Sequence, residues 1–210
     1  MKKYIILSLT ALFSLGMLNS CSDKEAEEVQ EEEVELKTEK KEFTGELPEL
    51  SVYNLPSNWT NQNGEDIQLE DLKGDVVVAV MIYTTCKAAC PRLVADVRRI
   101  YDKVSDKANK QVKYVFVSID PDTDTPERMK EFAKENEMDS DQWVFLRGDI
   151  DDTREFAAVL AVSYKRISPL DFSHSNIISV FDQEGVLVHQ KEGLGVDDSE
   201  TIEVIEKLAM

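Results

Sequence analysis

From about residue 47 onward, short unbroken apolar runs alternate with stretches in which apolar residues recur at helical spacing. Val76 to Tyr83 is a β-branched-rich run behind Gly74-Asp75, the pattern of a strand buried on both faces. Leu93, Val94, Val97, Ile100, Tyr101 and Val104 then follow the 3.6-residue period, and Pro91 suits a first helical turn, where no N–H is missed. A helix from about Cys90 to Ser105 is therefore expected, followed by a strand over Val112 to Ile119. Thr125-Pro126-Glu127 reads as a capped helix start with Met129, Phe132 and Ala133 on the buried face. Trp143 to Leu146 reads as a strand, Asp152 to Ala161 as a helix, and Asn176 to Gln190 as a hairpin turning at Asp182-Gln183-Glu184-Gly185. A last helix begins at Ser199, and Asn61-Gln62-Asn63-Gly64 marks the turn of an earlier, N-terminal hairpin.

Strands alternating with helices and closing in an antiparallel hairpin predict an α/β sandwich: a central mixed β-sheet flanked by helices, in the manner of thioredoxin-like folds. Residues 47–210 suffice for one good core and not for two.

The first 46 residues follow neither period. Lys2-Lys3, the apolar stretch Tyr4 to Leu18 and then Asn19-Ser20-Cys21 form a secretory signal, too short for a comfortable membrane-spanning helix. It resembles a bacterial lipoprotein signal over residues 1–20, with lipidation expected at Cys21. Residues 21–46 are rich in Glu and Lys without apolar periodicity, the composition of a solvated tether. Cys21 to Leu50 holds twelve acidic against four basic residues, within a chain of formal charge −18. That balance argues against nucleic acid as a partner and leaves the acyl chains as the membrane contact. The expected location is the cell envelope of a bacterium, on a membrane and facing the periplasm.

With Cys21 assigned as an anchor, Cys86 and Cys90 remain as a pair in an oxidising compartment. They sit at a strand-to-helix junction, Cys86 just before the helix and Cys90 at its start, where free N–H groups and the helix dipole favour thiolate. Such a pair binds soft metal, does redox chemistry, or both; an inert structural disulfide is the plain alternative.

Tyr83-Thr84-Thr85-Cys86-Lys87-Ala88-Ala89-Cys90-Pro91 resembles the cysteine motif of the Sco/SenC copper-binding proteins. Gly64 through Leu72-Lys73-Gly74 resembles that family's hairpin, Val117 to Pro126 its second strand-to-helix segment, and His174-Ser175 its histidine loop. The resemblance implies a thioredoxin-like fold in which Cys86, Cys90 and His174 bind copper. It also implies a role in assembling a respiratory copper enzyme, the binuclear centre of an oxidase subunit II first, with other periplasmic copper enzymes open. Two thiolates and an imidazole suit both cuprous and cupric copper, whereas a structural zinc site normally wants four protein ligands. By position alone His174 reads as readily as a solvated loop residue, and His189, in the last hairpin, as a packed one.

Two departures stand out: Lys87-Ala88-Ala89 replaces an insert that usually carries a proline and an acid, and Ser173 replaces the acid that usually precedes the histidine. Lys87 should favour thiolate, and Asp171 is the candidate to orient the imidazole in place of the missing acid. Asp120, Asp122 and Asp124 lack the Gly and distal Glu of a calcium loop and read as turn and cap residues. A thiol-disulfide oxidoreductase using Cys86 and Cys90, and a redox or copper sensor, are the readings that compete with a copper carrier. A distant imidazole is what dithiol exchange does not need.

Overall fold

The structure, a computed structural model, describes residues 45–169 and 171–210. The signal expected over 1–20, Cys21 and the tether up to residue 44 lie outside the described residues. Among the described residues no helix is long and apolar enough to cross a membrane.

Seven strands form one mixed sheet. At its centre β3 (Val76–Ile82) is buried at every position, as its unbroken apolar run requires. It pairs in parallel with β4 (Val112–Ser118) and antiparallel with β8 (Ile177–Phe181). Outward on one side lie β5 (Trp143–Arg147), parallel to β4, and the N-terminal hairpin of β1 (Trp59–Asn61) and β2 (Asp66–Ile67). On the other side β9 (Leu187–Glu192) pairs antiparallel with β8. The β1–β2 turn is fixed by the Asn61 side-chain oxygen, which accepts from the N–H groups of Asn63 and Glu65, and by Gly64 at φ +81°.

Helices flank this sheet. The helix α1 (Cys90–Lys103) buries Leu93, Val94, Val97 and Ile100, and stops short of the expected Ser105. Ser105 caps a separate turn, α2 (Asp106–Asn109), its hydroxyl accepting from Ala108 N–H. Thr125 caps α3 (Pro126–Glu135), which buries Met129, Phe132 and Ala133 as expected. The next helix, α4 (Ile150–Val159), starts two residues before the expected Asp152 because Asp149 accepts from the N–H groups of Asp151 and Asp152 at 2.8 Å each. The last, α5 (Ser199–Leu208), lies against β8 and β9.

Also absent from the expected order is a two-stranded hairpin of β6 (Tyr164–Arg166) and β7 (Phe172–His174), paired with each other outside the main sheet. Three-residue strands with mostly polar sequence leave no period-two signal to read. What this hairpin carries is the histidine.

Candidate metal centre

The parallel strands β3 and β4 both end on the same edge of the sheet, where chemistry in α/β folds usually sits. The loop after β3 holds Cys86, and α1 opens on Cys90. The backbone turn Tyr83–Cys86 is closed by the Cys86 N–H donating to Tyr83 C=O at 3.2 Å. Below it lies Asp124, fully buried, which accepts from Thr84 N–H at 3.2 Å, Thr84 hydroxyl at 2.6 Å and Ser118 hydroxyl at 2.6 Å. One carboxylate thus ties the end of β3 to the end of β4 and sets the floor of the cysteine loop. Burial pushes the Asp124 carboxyl up, against the pull of those three donors.

Asp120 and Asp124 are therefore more than turn and cap residues. The Asp120 carbonyl does close the turn, accepting from the N–H groups of Thr123 and Asp124, and Thr125 is the cap. The buried Asp120 carboxylate, however, pairs with Arg166 of β6 at 2.7 Å. Asp122 is exposed. Two acids spaced four apart in a turn carry no sequence mark of burial, so these roles had to come from the fold.

Cys86 is half-buried, Cys90 fully buried, and both are free thiols. The Cys86 sulfur accepts from Cys90 N–H at 3.3 Å, serving one of the open donors at the start of α1. Burial raises the Cys86 thiol, but N–H groups of Cys90 and Ala88, the Cys90 thiol and the Tyr83 hydroxyl outweigh it and hold Cys86 below its ordinary value. Cys90 goes the other way. Burial pushes it up, with neighbouring Cys86 and the Asp124 charge adding to the effect, so the helix start does not favour its thiolate as expected.

His174 is the last residue of β7 and not part of a loop, and it stands opposite Tyr164 in the hairpin register. Its Nε2 lies 3.6 Å from the Cys90 sulfur. Its Nδ1 faces Ser175 C=O at 2.9 Å, which places the proton on Nδ1 and leaves the Nε2 lone pair toward the sulfurs. That carbonyl does the orienting expected of Asp171, whose carboxylate instead accepts from the Ser168 hydroxyl at 3.0 Å. Ser173 is exposed. Burial lowers the imidazole below its ordinary value, with the Ser175 carbonyl opposing, so a neutral ring is available as ligand.

The donor atoms of Cys86, Cys90 and His174 all lie within 4.8 Å of one another, and no other such group occurs among the described residues. Two sulfurs and one nitrogen form a soft set with no fourth protein ligand among the described residues, which fits copper better than structural zinc. His189 is elsewhere, its Nε2 3.0 Å from the Thr201 hydroxyl of α5. Sequence reasoning passed over Tyr83 as a member of the site, although it is the residue on which the cysteine motif begins. Its hydroxyl accepts from Phe172 N–H at 3.3 Å, and its ring stands edge-on to His174 at 6.0 Å.

Residues 50–210 match the family model described as SCO1/SenC. The chain belongs to the SCO1/SenC family. It is 36% identical over 93 residues to the SCO1 protein homolog of Bacillus subtilis, an alignment covering 44% of this chain and 48% of that protein. The chain thus spans about half the length of that curated relative. A SCO1/SenC family lipoprotein of Bacillus anthracis has a structure alike at TM-score 0.67 and 26% identity, covering 75% of this chain and 96% of that one. A copper-bound ScoI of Arabidopsis thaliana shares the fold at TM-score 0.65 and 21% identity, over 74% of this chain and 96% of that one. The thioredoxin-like sandwich expected from the element order is the fold of these SCO1/SenC structures.

Proposed function

We propose that this SCO1/SenC protein binds copper through Cys86, Cys90 and His174 and delivers it to a respiratory copper enzyme, the binuclear centre of cytochrome c oxidase first among candidates. The observation that carries the proposal is the convergence of two sulfurs and a tautomer-fixed imidazole from separate elements within 4.8 Å. Copper bound by a homologous protein of the same fold supports the choice of ion. The soft thiolates hold cuprous copper, and the imidazole adds the nitrogen that the cupric state wants.

The anchoring belongs to the same proposal. The lipoprotein-like signal and Cys21 would hold the domain to a membrane, facing the periplasm, with residues 21–46 as an acidic tether. Titration of the reduced protein with copper, with metal stoichiometry and thiol counting on one sample, tests the site. One copper per chain is expected, with a thiolate-to-copper charge-transfer band in the cupric form. A preference for zinc in direct competition would overturn the reading.

A dithiol function is favoured by one further observation, the asymmetry of the two sulfurs. Cys86 is the more accessible and the more ionised, Cys90 the buried partner. The Cys86 thiolate can attack a partner's disulfide, forming a Cys86–partner mixed disulfide as the partner's S–S bond breaks and one partner thiolate leaves. Cys90, losing its proton, then closes the Cys86–Cys90 disulfide and frees the second partner thiolate. Two electrons pass to the partner, and its two sulfurs become available for copper.

A further inference from the structure

Tyr83 ends the buried apolar run of β3 and is 3% exposed, so packing alone would be served by phenylalanine. Its hydroxyl needs a partner in such a place. It accepts from Phe172 N–H at 3.3 Å on the histidine hairpin, while the Tyr83 carbonyl accepts from Cys86 N–H at 3.2 Å in the cysteine loop. The ring stands 5.1 Å from Phe172 and edge-on to His174, two residues that share one face of β7 by strand alternation.

We propose that Tyr83 is a positioning residue of the metal centre, its hydroxyl joining the cysteine loop to the hairpin that presents His174. The proposal rests on reading Cys86, Cys90 and His174 as copper ligands. Through the Phe172 amide the hydroxyl holds β7 at the distance that places Nε2 beside Cys90. A second contact grips the hairpin alone. Arg166 pairs with the buried Asp120 at 2.7 Å, donates to Pro169 C=O at 3.0 Å and lies 4.5 Å from the centre of the Phe172 ring. The two contacts differ in reach: Tyr83 touches both arms of the centre, Arg166 one.

Tyr83→Phe in the reduced full-length protein removes one oxygen and keeps the packing, so folding is not at issue. In the metal-free protein we expect exchange of the Phe172 amide to quicken about 2- to 10-fold, since its hydroxyl acceptor is lost. With copper, cupric affinity should fall about 10-fold or more, with cuprous affinity within about threefold of wild type. Arg166→Lys and the paired change Asp120→Asn with Arg166→Gln, which leaves no buried charge unpaired, should weaken cupric binding while the Tyr83 hydroxyl still protects the Phe172 amide. Unchanged exchange and cupric affinity in Tyr83→Phe, with only a lower melting temperature, would overturn the proposal. If the wild type takes up no copper, the copper reading fails by itself, and Phe172 amide exchange in the metal-free protein still decides whether the Tyr83 hydroxyl holds the hairpin.

Discussion

The cysteine arm and the histidine arm of the centre meet within 4.8 Å but are held by different means. The cysteine arm grows out of the best-buried part of the molecule. The strand β3 has no exposed residue, α1 buries Cys90 completely, and the joint between them is pinned by Asp124 from below. The histidine arm is a hairpin of two three-residue strands outside the sheet. Its hold on the body includes the Tyr83 hydroxyl and the Arg166–Asp120 pair. Long apolar elements supply the frame of the cysteine arm, whereas only Phe172 of the six residues in β6 and β7 is buried.

The contrast breaks most sharply on the sulfurs. Cys86→Ser or Cys90→Ser should remove the charge-transfer band and weaken copper by well over the roughly 100-fold seen for groups behind a ligand, measured by competition with a cuprous chelator. If either serine variant keeps the band, the cysteine arm is not the core of the site. His174→Ala should lose most cupric binding but retain cuprous binding to the two thiolates, and its rate of exchange with a small dithiol should stay near wild type. A cupric spectrum that survives His174→Ala would end the two-arm description.

Within the cysteine arm the two thiols should separate by pH. Cys86, held below its ordinary value, should react with an alkylating agent at lower pH, and Cys90, pushed up by burial, should lag at every pH. Peptide mapping over a pH series checks this, and equal rates would remove the assignment of Cys86 as the attacking thiol.

Acid should act on the frame around α1. Burial raises Asp198, but bonds from Arg99 and Lys191 outweigh it and hold its carboxyl below the ordinary range. Its contribution is full above the unfolded carboxylate value, about 4, and lost as pH falls through the lowered value. Asp124, raised by burial, contributes fully below about pH 4 and loses that contribution as pH rises through its raised value. Denaturant titrations should therefore show the acid limb flattened in Asp198→Asn, and the loss above about pH 4 flattened in Asp124→Asn. The smallest effect belongs to His189→Ala, which loses its bond to Thr201. We expect about 0.5–1.5 kcal/mol of stability lost and copper binding unchanged.

What the sequence determined by itself follows the same division. The strand Val76 to Tyr83, the helix that begins at Cys90 and the placing of both cysteines between them are written in local periodicity and in Pro91. A buried strand must be apolar throughout, and a helix start tolerates proline. The family followed from motifs spread along the chain, and His174 as a ligand came through that resemblance. The tertiary structure decided the rest. It put His174 on a separate hairpin, with its Nδ1 on the Ser175 carbonyl in place of Asp171. It buried Asp120 and Asp124 as clamps and made Cys90 the reluctant thiol. The clamps and the seat of the hairpin depend on which groups lie nearby across 40 to 89 residues of chain, as in the Thr84–Asp124, Asp120–Arg166 and Tyr83–Phe172 contacts. Hydrogen bonding and desolvation act over a few ångströms of space and leave no period in the sequence.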